Sequence, residues 1–232
     1  MLDAVLPEGD SAYVLGTSAG AIAALDLLAR HPERLRHVVA HEPPCVGVLP
    51  DGARWQAKFQ EVCDTYRTAG VQAAGARLGA VLAGDEPEES APPGHALSRE
   101  ETPLEKRSRE EKSREGKSRE EASREEESTD PMALFLTRVL RQFTSYTPDL
   151  AALPARLTLA AGSDSRGQLP HRTARFIAER TQSPFAEFPG GHLGVMEHPA
   201  AFAERLTAAL RAPVRPRTSG SRPPVADPHG SR

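Results

Sequence analysis

The sequence predicts an α/β fold: a mainly parallel sheet with helices on both faces, interrupted by a helical insertion. Two observations carry this. Short apolar runs of strand length at 13–15, 35–40, 157–161 and 184–188 alternate with helix-period segments at 19–30, 171–180 and 200–211, and parallel neighbours need such crossover helices. Between the second and third runs lies a long alanine-rich stretch with no strand pattern. At 232 residues the chain accommodates one sizeable α/β domain rather than two.

In chain order, Leu2 to Leu6 reads as the end of a helix closed by Pro7-Glu8-Gly9. Tyr13, Val14 and Leu15 form a short buried strand. The small residues Gly16, Ala19 and Gly20 surround Ser18, and a helix follows with Ile22, Leu25, Leu28 and Ala29 on one face until His31-Pro32 stops it. The strand at 35–40 ends in His41-Glu42-Pro43-Pro44, where the prolines force the chain out of the sheet. Residues 51–84 are helical, with Trp55, Phe59, Val62, Tyr66, Val71, Leu78, Val81 and Leu82 as the apolar positions. Pro87 to Gly94 breaks that pattern.

From Leu97 to Asp130 the chain changes character. Ser-Arg-Glu-Glu recurs at 98–101, 108–111, 118–121 and 123–126, with almost no apolar residue. Such a segment cannot bury enough surface to offset its ordering entropy, so it is predicted to be a disordered, solvated insertion. It holds nine basic and twelve acidic residues, which leaves twenty of each in the rest of the chain. The body is therefore formally neutral, with no bulk attraction to nucleic acid or anionic membrane.

A helix resumes with Met132, Leu134, Phe135, Val139, Leu140 and Phe143 and closes near Pro148. The strand at 157–161 runs into Gly162-Ser163-Asp164-Ser165. A helix at 171–180 follows, then the strand at 184–188, then the loop Pro189-Gly-Gly-His-Leu-Gly194 bearing His192. The helix at 200–211 starts after Pro199. Beyond Ala212 the chain is rich in Pro, Arg, Ser and Gly and is predicted to be a disordered tail. The resulting division is core at 1–50, helical cap at 51–148, core again at 149–211, and tail at 212–232.

The candidate chemistry begins at Gly16-Thr17-Ser18-Ala19-Gly20, a serine on a sharp turn between strand and helix. That turn demands an unusual backbone conformation and small residues two positions either side. It also presents the serine at a helix N-terminus, whose free N–H groups can stabilise an oxyanion. The spacing fits a G-x-S-x-G nucleophile elbow; the plainer alternative is a tight turn with Ser18 as helix N-cap. In parallel α/β sheets functional groups gather at the carboxyl ends of the strands, and Ser18, Glu42, Asp164 and His192 each follow a predicted strand. A serine hydroxyl needs a base, which His192 can supply, and the base needs an orienting carboxylate. Asp164 is preferred for that role from the chain order Ser, Asp, His; Glu42, pinned by Pro43-Pro44, is the second candidate.

Assembled in this way, the chain resembles the α/β-hydrolase superfamily. The elbow, the helix ending Ala-Arg-His-Pro-Glu-Arg-Leu, the Pro-Gly-Gly-His loop and the following His198-Pro-Ala-Ala-Phe-Ala carry the resemblance. It implies acyl (ester-type) hydrolysis of a small-molecule substrate by a serine nucleophile, the Ala19 N–H as oxyanion donor, a helical cap, and no metal or organic cofactor. Superfamily members also place several strands before the elbow, and a loop after one of them donates the second oxyanion N–H. Only about ten residues precede the strand here, so the fold is expected to be N-terminally truncated relative to the family. A non-catalytic module on the same scaffold is the alternative.

Two cysteines, Cys45 and Cys63, fit neither a disulfide framework nor a zinc motif and are expected as buried thiols. His37 and His41 share a strand face without a matched third ligand, so no metal site is expected. The acidic N-terminus lacks signal-peptide character, and no apolar window approaches membrane-spanning length. A cytoplasmic protein without nucleic-acid or membrane partners is the expectation.

Overall fold

Each predicted strand pairs in parallel with the next along the chain, giving one four-stranded sheet in the order β1-β2-β3-β4 in the computed structural model, which describes residues 4–84 and 130–212. The elements are β1 (Ala12–Thr17), α1 (Ala19–Arg30), β2 (Leu35–His41), α2 (Gly52–Ala83), α3 (Pro131–Leu134), α4 (Leu140–Ser145), β3 (Leu157–Gly162), α5 (Leu169–Thr181), β4 (Phe185–Phe188), α6 (Gly194–Glu197) and α7 (Pro199–Arg211). Among the described residues β1 is paired on one side only, and its Tyr13 is exposed.

The two faces of the sheet follow from strand periodicity. Val38 and Ala40 of β2 join Leu157 and Leu159 of β3 in a core closed by Leu25 and Leu28 of α1 and Ile177 of α5. Val39 and Ala160 point the other way, onto Phe188 of β4 and Phe202 of α7. Strands covered on both faces carry nearly continuous apolar runs, and all six residues of β3 are buried. Burying each such leucine or isoleucine contributes about 1.5–3 kcal/mol, so the sheet is a rigid base for the groups at its carboxyl edge.

The insertion between β2 and β3 has its own core: Trp55, Phe59 and Val62 of α2 pack with Leu136 and Leu140. Gly70, at φ 79° and ψ −178°, breaks α2 into two segments, a conformation that glycine alone adopts freely. The break lets Arg77 pair with Glu61; sixteen residues apart on a straight helix they would stand about 24 Å apart. Residues 131–145 form one helical run with a π-helical turn at Phe135–Val139, started by the Asp130 carboxylate accepting the Met132 N–H at 2.8 Å. Arg172 of α5 donates twice to Asp51, at 2.7 and 2.8 Å, and fastens the insertion to the core.

Several local expectations change. β1 continues to Thr17, α5 begins at Leu169, and the loop after His192 contains the short helix α6. The break at 87–94, the charged repeat at 97–130 and the tail at 212–232 lie outside the described residues, apart from Asp130 and Ala212. Cys45 and Cys63 are buried free thiols, as expected. Among the described residues no helix is long and apolar enough to cross a membrane.

Candidate active site

Ser18 sits between β1 and α1 at φ 52°, ψ −122°, a strained conformation that costs about 1–3 kcal/mol and persists only where the surroundings enforce it. They do so from two sides. The Ser18 N–H donates to the His41 carbonyl at 2.9 Å, anchoring the turn to the neighbouring strand. Gly16 packs so closely on the start of α1 that an added Cβ would overlap the Gly20 carbonyl. Gly20 differs from expectation: a Cβ there would meet open space, so the crowding requires a glycine at 16 only.

The Ser18 side chain makes no helix-capping bond. Its hydroxyl lies 3.0 Å from His192 Nε2, and His192 Nδ1 lies 2.6 Å from Glu42 Oε2. Glu42 is fully buried, with φ 51° immediately after β2. Its other oxygen, Oε1, accepts the Gly162 N–H at 2.8 Å. Burial by itself would raise the Glu42 pKa; the hydrogen bonds from His192 and Gly162, with the Ser165 hydroxyl near by, outweigh it and hold the carboxyl below its ordinary value. With Glu42 ionised, Nδ1 carries the proton, and Nε2 is left to accept from Ser18.

The structure thus brings together Ser18, His192 and Glu42, and it does not bring Asp164 to the histidine. The carboxylate in contact with the histidine is Glu42, whereas the chain order favoured Asp164. After β3 the chain enters a 3₁₀ turn, Ser163–Ser165, that directs Asp164 into solvent and Ser165 inward. The Asp164 carboxylate accepts the Ser163 hydroxyl at 3.0 Å, and its N–H is held by the Gly190 carbonyl at 3.1 Å. Gly162 is where strand and histidine loop touch: a Cβ would overlap Gly190 O and lie 2.7 Å from Gly191 O.

Ala19 begins α1, so its N–H is one of the amides without an intrahelical acceptor. Ser18 and Ala19 together border a cavity of about 40 Å³ walled by side chains of the insertion. A larger cavity of about 280 Å³ lies between α1 and α4, and none of Ser18, His192 and Glu42 lines it. Sequence reasoning missed two supports of the site. Ser165 is fully buried, and its hydroxyl makes no close bond in this geometry, although it faces Glu42 and helps to keep it ionised. His41 is buried with its ring edge-on to Phe188 and Phe202 at centroid distances of 5.8 and 5.3 Å, and burial pushes its imidazole down to about 4. Nothing in the local sequence distinguishes Ser165 from the serines beside it. His37, for its part, bonds the Thr158 hydroxyl at 2.8 Å.

A parallel sheet with a strained serine elbow after one strand and a histidine after the last defines an α/β hydrolase, and the chain belongs to the alpha/beta hydrolase family, whose model matches residues 1–205. It is 28% identical over 204 residues to an uncharacterized hydrolase, YraK, of Bacillus subtilis (strain 168), a match that takes in 84% of this chain. The chain covers 62% of that relative's length. Its fold is also similar to MGS-M2, an alpha/beta hydrolase from a Medee basin deep-sea metagenome library, with a TM-score of 0.57 at 14% identity, covering 94% of this chain and 70% of the other.

Proposed function

We propose that this protein is a serine hydrolase that cleaves carboxylic esters of small molecules. The observation that carries the reading is the continuous chain from Ser18 Oγ to His192 Nε2 at 3.0 Å and from His192 Nδ1 to Glu42 at 2.6 Å. Ser18 Oγ attacks the ester carbonyl carbon as His192 Nε2 takes its proton. The oxyanion that forms receives the Ala19 N–H, aided by the positive end of α1. Collapse breaks the bond to the alcohol oxygen, to which His192 returns the proton, and leaves an acyl-Ser18 ester. Water, deprotonated by the same histidine, then releases the acid and restores Ser18. Glu42 stays ionised throughout, fixes the imidazole tautomer and stabilises the imidazolium. The described parts of the insertion, 51–84 and 131–148, act as the cap that shapes the pocket.

The test is labelling of the folded full chain with a fluorophosphonate probe, locating the adduct by peptide mass and using Ser18→Ala as control. Labelling confined to Ser18 is expected. A folded protein that takes no label is instead a non-catalytic module on a hydrolase scaffold.

A further inference from the structure

The cavity beside Ser18 and Ala19 has a definite chemistry. Among the described residues its wall is Pro44, Phe59, Leu78, Leu82, Phe135, Leu140 and Phe143, with no charged side chain. Thr144 also borders it, but the buried hydroxyl already donates to the Leu140 carbonyl at 2.8 Å. Apart from Ser18, the described wall therefore offers a ligand no free side-chain donor, and a carboxylate placed there would be desolvated without a partner.

Which half of an ester enters follows from the position of the histidine. No residue of the His192 loop lines the cavity. The leaving oxygen must lie within reach of His192 to collect its proton, so the alcohol portion lies on the loop side, where Leu193 and Met196 are 55% and 75% exposed. The acyl substituent is then directed into the cavity. At about 40 Å³ the cavity is several-fold smaller than its neighbour of about 280 Å³ between α1 and α4, which suits a short acyl chain rather than a long one.

Phe143 also lines the neighbouring cavity of about 280 Å³, together with Ile22, Asp26 and Tyr146. In that cavity the Asp26 carboxylate is already bonded to the Tyr146 hydroxyl at 2.8 Å and the Arg30 Nε at 2.9 Å. The Phe143 ring thus stands between the small apolar cavity at the nucleophile and the larger, open one beside it.

We infer that this protein acts on esters of short, uncharged acyl groups, acetyl to butyryl, and that Phe143 sets the upper limit by closing the acyl cavity from its larger neighbour. The inference rests on the serine-hydrolase reading of Ser18 and specifies its substrate class. The test uses the full chain with p-nitrophenyl acetate, butyrate, octanoate and hemisuccinate, and with acid-quench trapping of acyl-Ser18 by peptide mass across the series. kcat/KM is expected to peak at acetate or butyrate and to be about 100-fold lower for octanoate, each misfitting methylene group being costly. Hemisuccinate, a four-carbon acyl group bearing a carboxylate, is expected to fall about 100-fold below butyrate because its charge gains no partner. Phe143→Ala should raise the octanoate-to-acetate ratio at least about tenfold, and Leu82→Ala, from another wall, should raise it in the same direction. A flat profile, an optimum at octanoate, or equal use of hemisuccinate, each with acyl-Ser18 trapped, overturns the pocket inference alone. Failure to trap acyl-Ser18 from any ester overturns both the inference and the reading beneath it.

Discussion

Replacing Glu42 by glutamine changes almost no volume and removes one charge, and the structure gives its consequence in two parts. The amide oxygen of the substituted side chain can still accept the Gly162 N–H, now made at 2.8 Å, but its NH₂ then faces His192 Nδ1. Two donors cannot share that contact, so the imidazole proton moves to Nε2, which then cannot accept from Ser18. Turning the amide over restores the useful tautomer but leaves the Gly162 N–H facing a donor, at about 1–3 kcal/mol for an unsatisfied buried group, and still supplies no charge to stabilise the imidazolium. Loss of the correct tautomer in a triad of this kind lowers kcat about 10⁴-fold, or about 5.4 kcal/mol of barrier. The same reasoning assigns little to Asp164, an exposed carboxylate whose side chain bonds only the adjacent Ser163 among the described residues; Asp164→Asn should alter kcat by less than about threefold, as for a surface change. The assay is steady-state turnover of p-nitrophenyl acetate near pH 7.5, alongside thermal melts that show both variants folded. A Glu42→Gln enzyme within tenfold of the parent, or an Asp164→Asn enzyme as damaged as it, would refute the assignment of the acid.

Other outcomes follow from the same contacts. The His41 pKa is about 4 when folded against 6.5 unfolded, so its stabilising effect is full above 6.5 and lost as pH falls toward 4. Between pH 7.5 and 4.5 this amounts to about 2–3 kcal/mol, and urea midpoints at the two pH values should show His41→Leu losing that much less than the parent. Gly162→Ala should cost activity and about 1–3 kcal/mol of stability, because its methyl group meets the Gly190 carbonyl at the histidine loop. Gly20→Ala, with open space around it, should be neutral or stabilising by up to about 1 kcal/mol in the same denaturation experiment. The Cys45 thiol, buried and pushed up to about 12, should resist Ellman's reagent in the native protein and react once it is unfolded.

Much of this protein is written locally. The strands, their parallel sense and the elbow at Ser18 follow from short-range pattern: buried parallel strands are continuous apolar runs, and a crossover helix must separate them. His192 is legible for the same reason, since a loop after the last parallel strand arrives at the same edge as one after the first. Which carboxylate meets His192 was not legible in this way. Asp164 and Glu42 both follow strands on that edge, and the difference between them is the direction in which one turn points its side chain. The 3₁₀ turn after Gly162 sends Asp164 outward, while φ 51° at Glu42 turns its carboxylate toward His192. Gly162 and Ser165 became part of the site only because β3 and the histidine loop touch, and Phe143 became a partition only where the insertion closes over α1. The sequence by itself determined which groups reach the carboxyl edge, because backbone periodicity is local; tertiary structure decided which of them meet, because a hydrogen bond is settled within a few tenths of an ångström by packing between segments more than a hundred residues apart.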